Sequence, residues 1–133
     1  MNSVHDIPGS HRHQVSVIAH AAATATENIP IWEVPFDCVI TDIKIIPATD
    51  ITGQDTNTTH VNFDDRAADG SGSTEIDNFD FVSGTDATSG DALSGATTDV
   101  NIDADDVLAL QYEKVGTGLA IPALLVVIDY KAR

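Results

Sequence analysis

The chain is poor in basic residues, and this shortage excludes two classes of partner. Only 6 of its 133 residues are Lys or Arg, against 21 Asp or Glu, so the formal net charge is −15 at pH 7. No basic cluster exists that could neutralise the phosphates of a nucleic acid. An anionic membrane surface would repel the chain for the same reason. We therefore expect neither direct nucleic-acid binding nor membrane binding.

Cysteine and long apolar runs are also scarce. Cys38 is the one cysteine, so an intrachain disulfide cannot form and the disulfide-rich secreted class is excluded. The N-terminus lacks the basic segment and apolar run of a secretory signal, which favours synthesis in the cytoplasm. The most apolar window, residues 119–128, is ten residues long and contains Pro122. A membrane-spanning helix needs about 20 apolar residues.

The sequence also lacks the motifs that usually mark catalysis or metal binding. It contains no Gly-x-Ser-x-Gly, no Cys-x-x-Cys and no glycine-rich phosphate loop ahead of a helix. The aspartate-rich stretch 65–75 resembles a calcium loop, but Ala67 and Ile76 stand where ligands are required. The stretch 101–106 lacks the glycine that such a loop needs at its sixth position. We predict no catalytic residue, no metal ligand and no cofactor, and thus no enzyme.

Apolar residues alternate with polar ones along most of the chain, which predicts strands rather than helices. The clearest strand covers residues 38–46, with one phase slip that a bulge would absorb. In residues 76–82, Phe79 and Phe81 share a face with Asp77, and we expect that face to be buried. Further strands are predicted over residues 14–26 (one long or two short), 29–34, 58–64, 100–102, 107–115 and 124–130.

These seven or eight strands predict an all-β chain, folded as one antiparallel β-sandwich or jelly roll. We place this domain at residues 15–133, preceded by an extended polar N-terminal arm at residues 1–14. Residues 85–98 are rich in Ser, Thr, Gly and Ala. We expect them to form a long surface loop.

The arm carries the chain's only locally positive stretch, from Arg12 together with His5, His11 and His13. We expect it to contact a partner protein or a neighbouring subunit, the alternative being a disordered tail. His11 and His13 share a face of an extended segment, but two ligands do not complete a metal site. Trp32, the one tryptophan, is expected to pack in the core or in a subunit interface.

The segment IPIWEVPFDCVITDIKIIP at residues 29–47 resembles the opening of small jelly-roll proteins from tailed-bacteriophage heads. The similarity continues in order through GQDTNT at 53–58, RAADGSG at 66–72, DDVLAL at 105–110 and GTGLAIP at 116–122. It covers residues 29–130. The chain departs from the pattern at Asp105 and Asp106, where many related domains have Gly-Asp.

The resemblance implies a capsid decoration (cement) protein. Such a protein is made in the host cytoplasm, sits on the outer surface of the virion as homotrimers, and stabilises the lattice of the major capsid protein. One alternative is a receptor- or carbohydrate-binding β-sandwich module of a phage tail or a cell surface. A cupin-type enzyme is a further alternative, although His60 alone does not supply its ligand set. Of the 21 acidic residues, 17 are Asp, and we interpret them as a hydrated outer coat.

Overall fold

The computed structural model describes residues 9–96 and 99–133, which contain nine β-strands and no helix. The strands are β1 (His11–Val17), β2 (Glu27–Glu33), β3 (Cys38–Pro47), β4 (Thr58–Asp65), β5 (Thr74–Asp80), β6 (Leu93–Ser94), β7 (Val100–Ile102), β8 (Val107–Val115) and β9 (Leu124–Ala132). Within the two described ranges, no helix is long and apolar enough to span a bilayer.

Two antiparallel sheets form a sandwich. One sheet has the order β1-β9-β3-β6, with β7 also pairing with β3, and the other has the order β2-β8-β4-β5. This strand order is that of a jelly roll, so the predicted fold class is confirmed. Nine strands occur where seven or eight were expected, because β6 and β7 together fill one position beside β3.

The core lies between the sheets and is built by the period-two alternation of their strands. Phe63 of β4 and Phe79 of β5 pack edge to face, with ring centroids 5.9 Å apart. Phe79, Phe81 and Asp77 are all buried, which confirms the face predicted for residues 76–82. The β3–β9 pairing adds Ile43 and Ile128, which lie opposite each other and are fully buried.

The phase slip predicted in the third strand is a bulge. Ile40 lies opposite Tyr130, and Asp42 lies opposite Asp129, so the register shifts at Thr41. The Thr41 hydroxyl donates a hydrogen bond to the carbonyl oxygen of Asp129 at 3.2 Å. The bulge therefore restores the alternation that keeps the apolar residues of β3 inside.

The first strand begins earlier and ends sooner than expected. Residues 11–14, assigned by their polarity to the arm, pair with β9 in unbroken register, with Arg12 opposite Asp129. Residues 1–8, including His5, lie outside the described residues. Residues 21–26 form no strand, because their Ala and Thr side chains offer little apolar area to a sheet face. After β1, strand pairing continues only as an isolated bridge between His20 and Ile121.

The prediction of a surface loop at residues 85–98 was only partly right. Ala87 is buried and forms a bridge with Ile51, and Leu93–Ser94 is the short strand β6 on β3. The backbone N–H of Gly53 donates to the Asp86 carboxylate at 2.8 Å. A Cβ at Gly53 would overlap the Val82 carbonyl oxygen, so the backbone at Gly53 packs directly against that of Val82. Thr97 and Thr98 lie outside the described residues.

Candidate functional site

Three of the predicted contact residues lie together at one edge of the sandwich. The His13 ring on β1 stacks on Trp32 of β2, with centroids 4.6 Å apart and planes inclined by 13°. Trp32 and His11 both pack against Tyr130, at centroid distances of 4.9 and 5.6 Å. This cluster closes the gap between the two sheets where β1 and β2 are edge strands. In the chain described here, Trp32 thus packs against its own subunit.

Arg12 projects from the other side of β1, onto the outer face of the five-stranded sheet. Its Nε donates to Asp129 Oδ1 at 2.8 Å, and Lys44 Nζ donates to Asp129 Oδ2 at 3.1 Å. The hydrogen bond from Arg12 is the main reason that the pKa of Asp129 lies below its ordinary value. Arg12, whose charge we expected to help the arm contact a partner, is therefore paired with Asp129 of its own chain.

An apolar surface covers the end of the sandwich where β1 ends and β9 begins. Ile18, directly after β1, is 77% exposed, more than the other large hydrophobic side chains that the structure describes. Two shallow clefts of about 780 and 390 Å3 lie at this end. Their apolar lining comprises Val17, Ala19, Ala21, Ile46, Pro47, Ala48, Ala120, Ile121, Pro122, Ala123, Leu124 and Leu125. We call residues 18–21, 46–48 and 120–125 the apolar end.

Residues 18–21, 46–48 and 120–125 themselves contain no carboxylate, although Asp50, Asp55, Asp86 and Asp91 lie in the loops beside them. Residues 7–26 and 114–128 contain no Asp or Glu, although the chain has 21 of them. Asp50 lines the larger cleft, and its carboxylate accepts a hydrogen bond from the Ser89 backbone at 2.7 Å. Glu27, at the start of β2, pairs with His20 Nδ1 at 2.6 Å. Both of these carboxylates thus have partners within the chain.

Specific contacts hold the apolar end in place. The hydroxyl of Thr59, fully buried on β4, donates to the Leu119 carbonyl at 2.8 Å and accepts from the Leu119 N–H at 2.9 Å. His20 and Ile121 exchange backbone hydrogen bonds of 2.8 and 2.9 Å. Gly118 has a positive φ of 68° and lies against the carbonyl of Ala23, where a Cβ would not fit. The exposed alanines therefore sit on a fixed backbone.

The opposite end of the sandwich is acidic. Seven carboxylates lie where β4 ends and β8 begins or in the loops beside this point: Glu33, Asp37, Asp65, Asp69, Asp103, Asp105 and Asp106. Burial, and then the nearby Asp65 carboxylate, raise the pKa of Asp106. Arg133 provides local compensation, with Nη2 2.6 Å from Asp103 Oδ1 and 3.7 Å from Asp37 Oδ1. We call these seven residues the acidic end.

Two side chains that could act as a nucleophile or a base, Cys38 and His60, lie outside the apolar end and the acidic end. Cys38 is fully buried, and burial raises the pKa of its thiol to about 11, so little thiolate forms at neutral pH. His60 lies on the outer face of the four-stranded sheet, with Nδ1 3.3 Å from Glu113 and 3.5 Å from Asp80. Across residues 9–96 and 99–133, no three or more His, Cys, Asp or Glu side chains are arranged to hold a metal ion.

The apolar end was not predicted from the sequence, because three segments distant in the chain build it. A signal was nevertheless present. Two stretches without carboxylates, residues 7–26 and 114–128, stand out in a chain where nearly one residue in six is acidic. The structure brings the end of the first stretch beside the middle of the second through the His20–Ile121 bridge.

Comparisons with known proteins find a distant likeness of shape. No protein-family model and no curated protein matches the chain. A chain in the structure of the infectious bursal disease virus Gx strain is 8% identical, with a TM-score of 0.41, and the match covers 92% of this chain and 32% of that one. For the Gt strain the identity is 11%, the TM-score 0.36, and the coverage 96% and 34%. The chain thus spans about a third of these viral chains, and TM-scores this low carry no argument about function.

Proposed function

We propose that the chain is a structural, non-enzymatic virion protein that decorates the outside of a phage capsid. The observation that carries this proposal is the separation of the apolar end from the acidic end. In the proposed arrangement, the apolar end lies against the major capsid protein and the acidic end faces solvent. The sequence resemblance to phage decoration proteins supports the same function, and it implies trimers on the shell.

The apolar end has the surface expected of a protein contact, and the acidic end has the surface expected to face solvent. Apolar area removed from water stabilises a contact by roughly 25 cal/mol per Å2. A standard interface buries roughly 800 Å2 on each partner, which is about 12% of the 6667 Å2 surface of this chain. One end of a sandwich of this size can supply that area. The acidic end keeps neighbouring particles apart, because like-charged outer surfaces repel each other.

Cosedimentation with capsids tests the proposal. The capsids are assembled from the major capsid protein encoded in the same genome, and the full chain is added to them. We expect the wild type to sediment with the shells and the double variant Ala48→Asp/Ala120→Asp to lose most of its binding, because it places two carboxylates on the apolar end. Both alanines are exposed, so folding should survive, and circular dichroism checks this.

Ala68→Asp is the control for the single variants Ala48→Asp and Ala120→Asp, each of which should weaken binding, since Ala68 is exposed in the loop after β4, at the other end of the sandwich. It should bind as the wild type does. Wild-type protein that fails to bind these shells contradicts the proposed function. Binding of the wild type to a glycan array, without binding to shells, would instead favour the receptor or carbohydrate-binding alternative.

A further inference from the structure

Three of the four sheet edges carry features that discourage pairing with another chain. β2 contains Pro30 and a register shift between Pro30 and Trp32. β5 carries Glu75, Asp77 and Asp80 within seven residues. The edge beside β3 is divided between β6 and β7, which have two and three residues. Proline, bulges, charges and short strands all protect an edge from strand addition.

β1 has only one of these protecting features, the charge of Arg12. Its seven residues include no Pro, Asp or Glu, and it pairs with β9 without a register shift. Among the described strands, only β9 pairs with it. Its one full charge, Arg12, lies on the outer face and is bound to Asp129. A regular edge of this kind is a template for another strand.

An apolar cleft lies next to this edge. It has a volume of about 370 Å3 and opens between β1 and β2. Its lining is Val15, Ser16, Val17, Ile18, His20, Ile29, Pro30 and Ile31. A strand added to β1 would lie beside this cleft and remove part of its apolar lining from water.

We propose that two free copies of this chain pair through β1, antiparallel and centred on Gln14. Two molecules with a net charge of −15 repel each other over most of their surfaces, but residues 7–26 contain no carboxylate. Centring on Gln14 pairs residues 12–16 of the two copies and places Arg12 opposite Ser16 of the partner subunit. Centring on Arg12 would place two guanidinium groups opposite each other, which disfavours that register.

This contact goes beyond the proposed function, because it concerns the free protein and uses the β1 edge, whose cleft shares only Ile18 and His20 with the apolar end. Sedimentation velocity on the full chain, over a range of protein concentrations, tests it. We expect the wild type to form dimers. Gln14→Glu and Gln14→Lys each place like charges at the dimer axis, so each should raise the dissociation constant by roughly three- to fivefold. An equimolar mixture of the two variants should recover the wild-type affinity, because unlike charges then meet at the axis.

Gln54→Glu is the matched control, since Gln54 is exposed and lies far from β1 in the sequence and outside the strands. It adds the same charge and should leave the dimer unchanged. A wild type that is monomeric at every concentration overturns the proposal. So does a dimer or a trimer that the Gln14 variants do not weaken, and so does a variant mixture that stays as weak as its components.

Discussion

Replacing Tyr112 by Phe should stabilise the protein. Tyr112 is fully buried on β8, and within the described residues its hydroxyl has no hydrogen-bond partner. Burial also raises the pKa of Tyr112 above its ordinary value, which shows how poorly the site would solvate a charge. The aromatic ring of Tyr112, in contrast, makes contacts within the chain. His20 lies 4.6 Å from it, centroid to centroid, and Lys114 Nζ lies 5.4 Å from its centroid.

The size of the effect follows from what the substitution removes. A buried hydroxyl without a partner costs about 1–3 kcal/mol, whereas Phe keeps the ring contacts with His20 and Lys114. Allowing for the small void left by the oxygen, we expect a gain of about 1 kcal/mol in the free energy of unfolding. For a domain of this size that raises Tm by about 4 °C.

Urea unfolding and differential scanning calorimetry of Tyr112→Phe measure this gain. Tyr130→Phe is the control, because Tyr130 is slightly exposed and its hydroxyl is not among the unpartnered buried atoms of the described residues. It should change stability little or reduce it. A loss of about 1 kcal/mol or more in Tyr112→Phe would refute the reasoning, since it would mean that the hydroxyl makes a stabilising hydrogen bond.

Three further predictions concern charge and backbone. The pKa values of Asp64 and Asp106 are raised, mainly by burial, so stability falls as pH rises through their folded-state values. The pKa of Asp129 is lowered, so its contribution is lost as pH falls through that value, below the ordinary Asp value of about 3.9. Thermal melts across pH should therefore show a maximum on the acidic side of neutrality, and a Tm that rises steadily toward alkaline pH would contradict this. Added NaCl should raise Tm at pH 7, because it screens a net charge of −15; a salt-independent Tm would oppose the electrostatic account. Gly53→Ala should cost about 2–3 kcal/mol in chemical unfolding, since its Cβ would overlap backbone atoms of Val82 and Thr85. Gly84→Ala places its Cβ in open space and is strained only by its φ of 85°, so it should cost about 1 kcal/mol; a loss at Gly53 no larger than this would contradict the steric cause.

Local patterns predicted most of the fold, because strand alternation is a local property. The faces of residues 76–82 and the bulge in β3 both follow from the spacing of apolar residues alone. The pairing of Arg12 with Asp129 could not be predicted in this way, since 117 residues separate the two. We assigned residues 11–14 to an arm because they are polar. They instead form part of β1, because their backbone pairs with β9, and backbone pairing does not depend on side-chain polarity.

The apolar end also could not be predicted from local sequence patterns. Its segments contain mostly alanine, proline and short aliphatic runs, which taken singly are typical of turns or strand ends. Only the jelly-roll connections bring residues 18–21, 46–48 and 120–125 together. The acidic coat stays a prediction from composition, and the grouping of seven carboxylates at the opposite end depends on where the loops after β2, β4 and β7 meet.

The most direct test of the central claim is a cryo-electron microscopy map of the decorated capsid. The account predicts that residues 18–21, 46–48 and 120–125 lie against the major capsid protein, while Asp65, Asp103 and Asp106 face solvent. A map in which the acidic end contacts the lattice, or in which the apolar end is fully exposed on the particle, would contradict it.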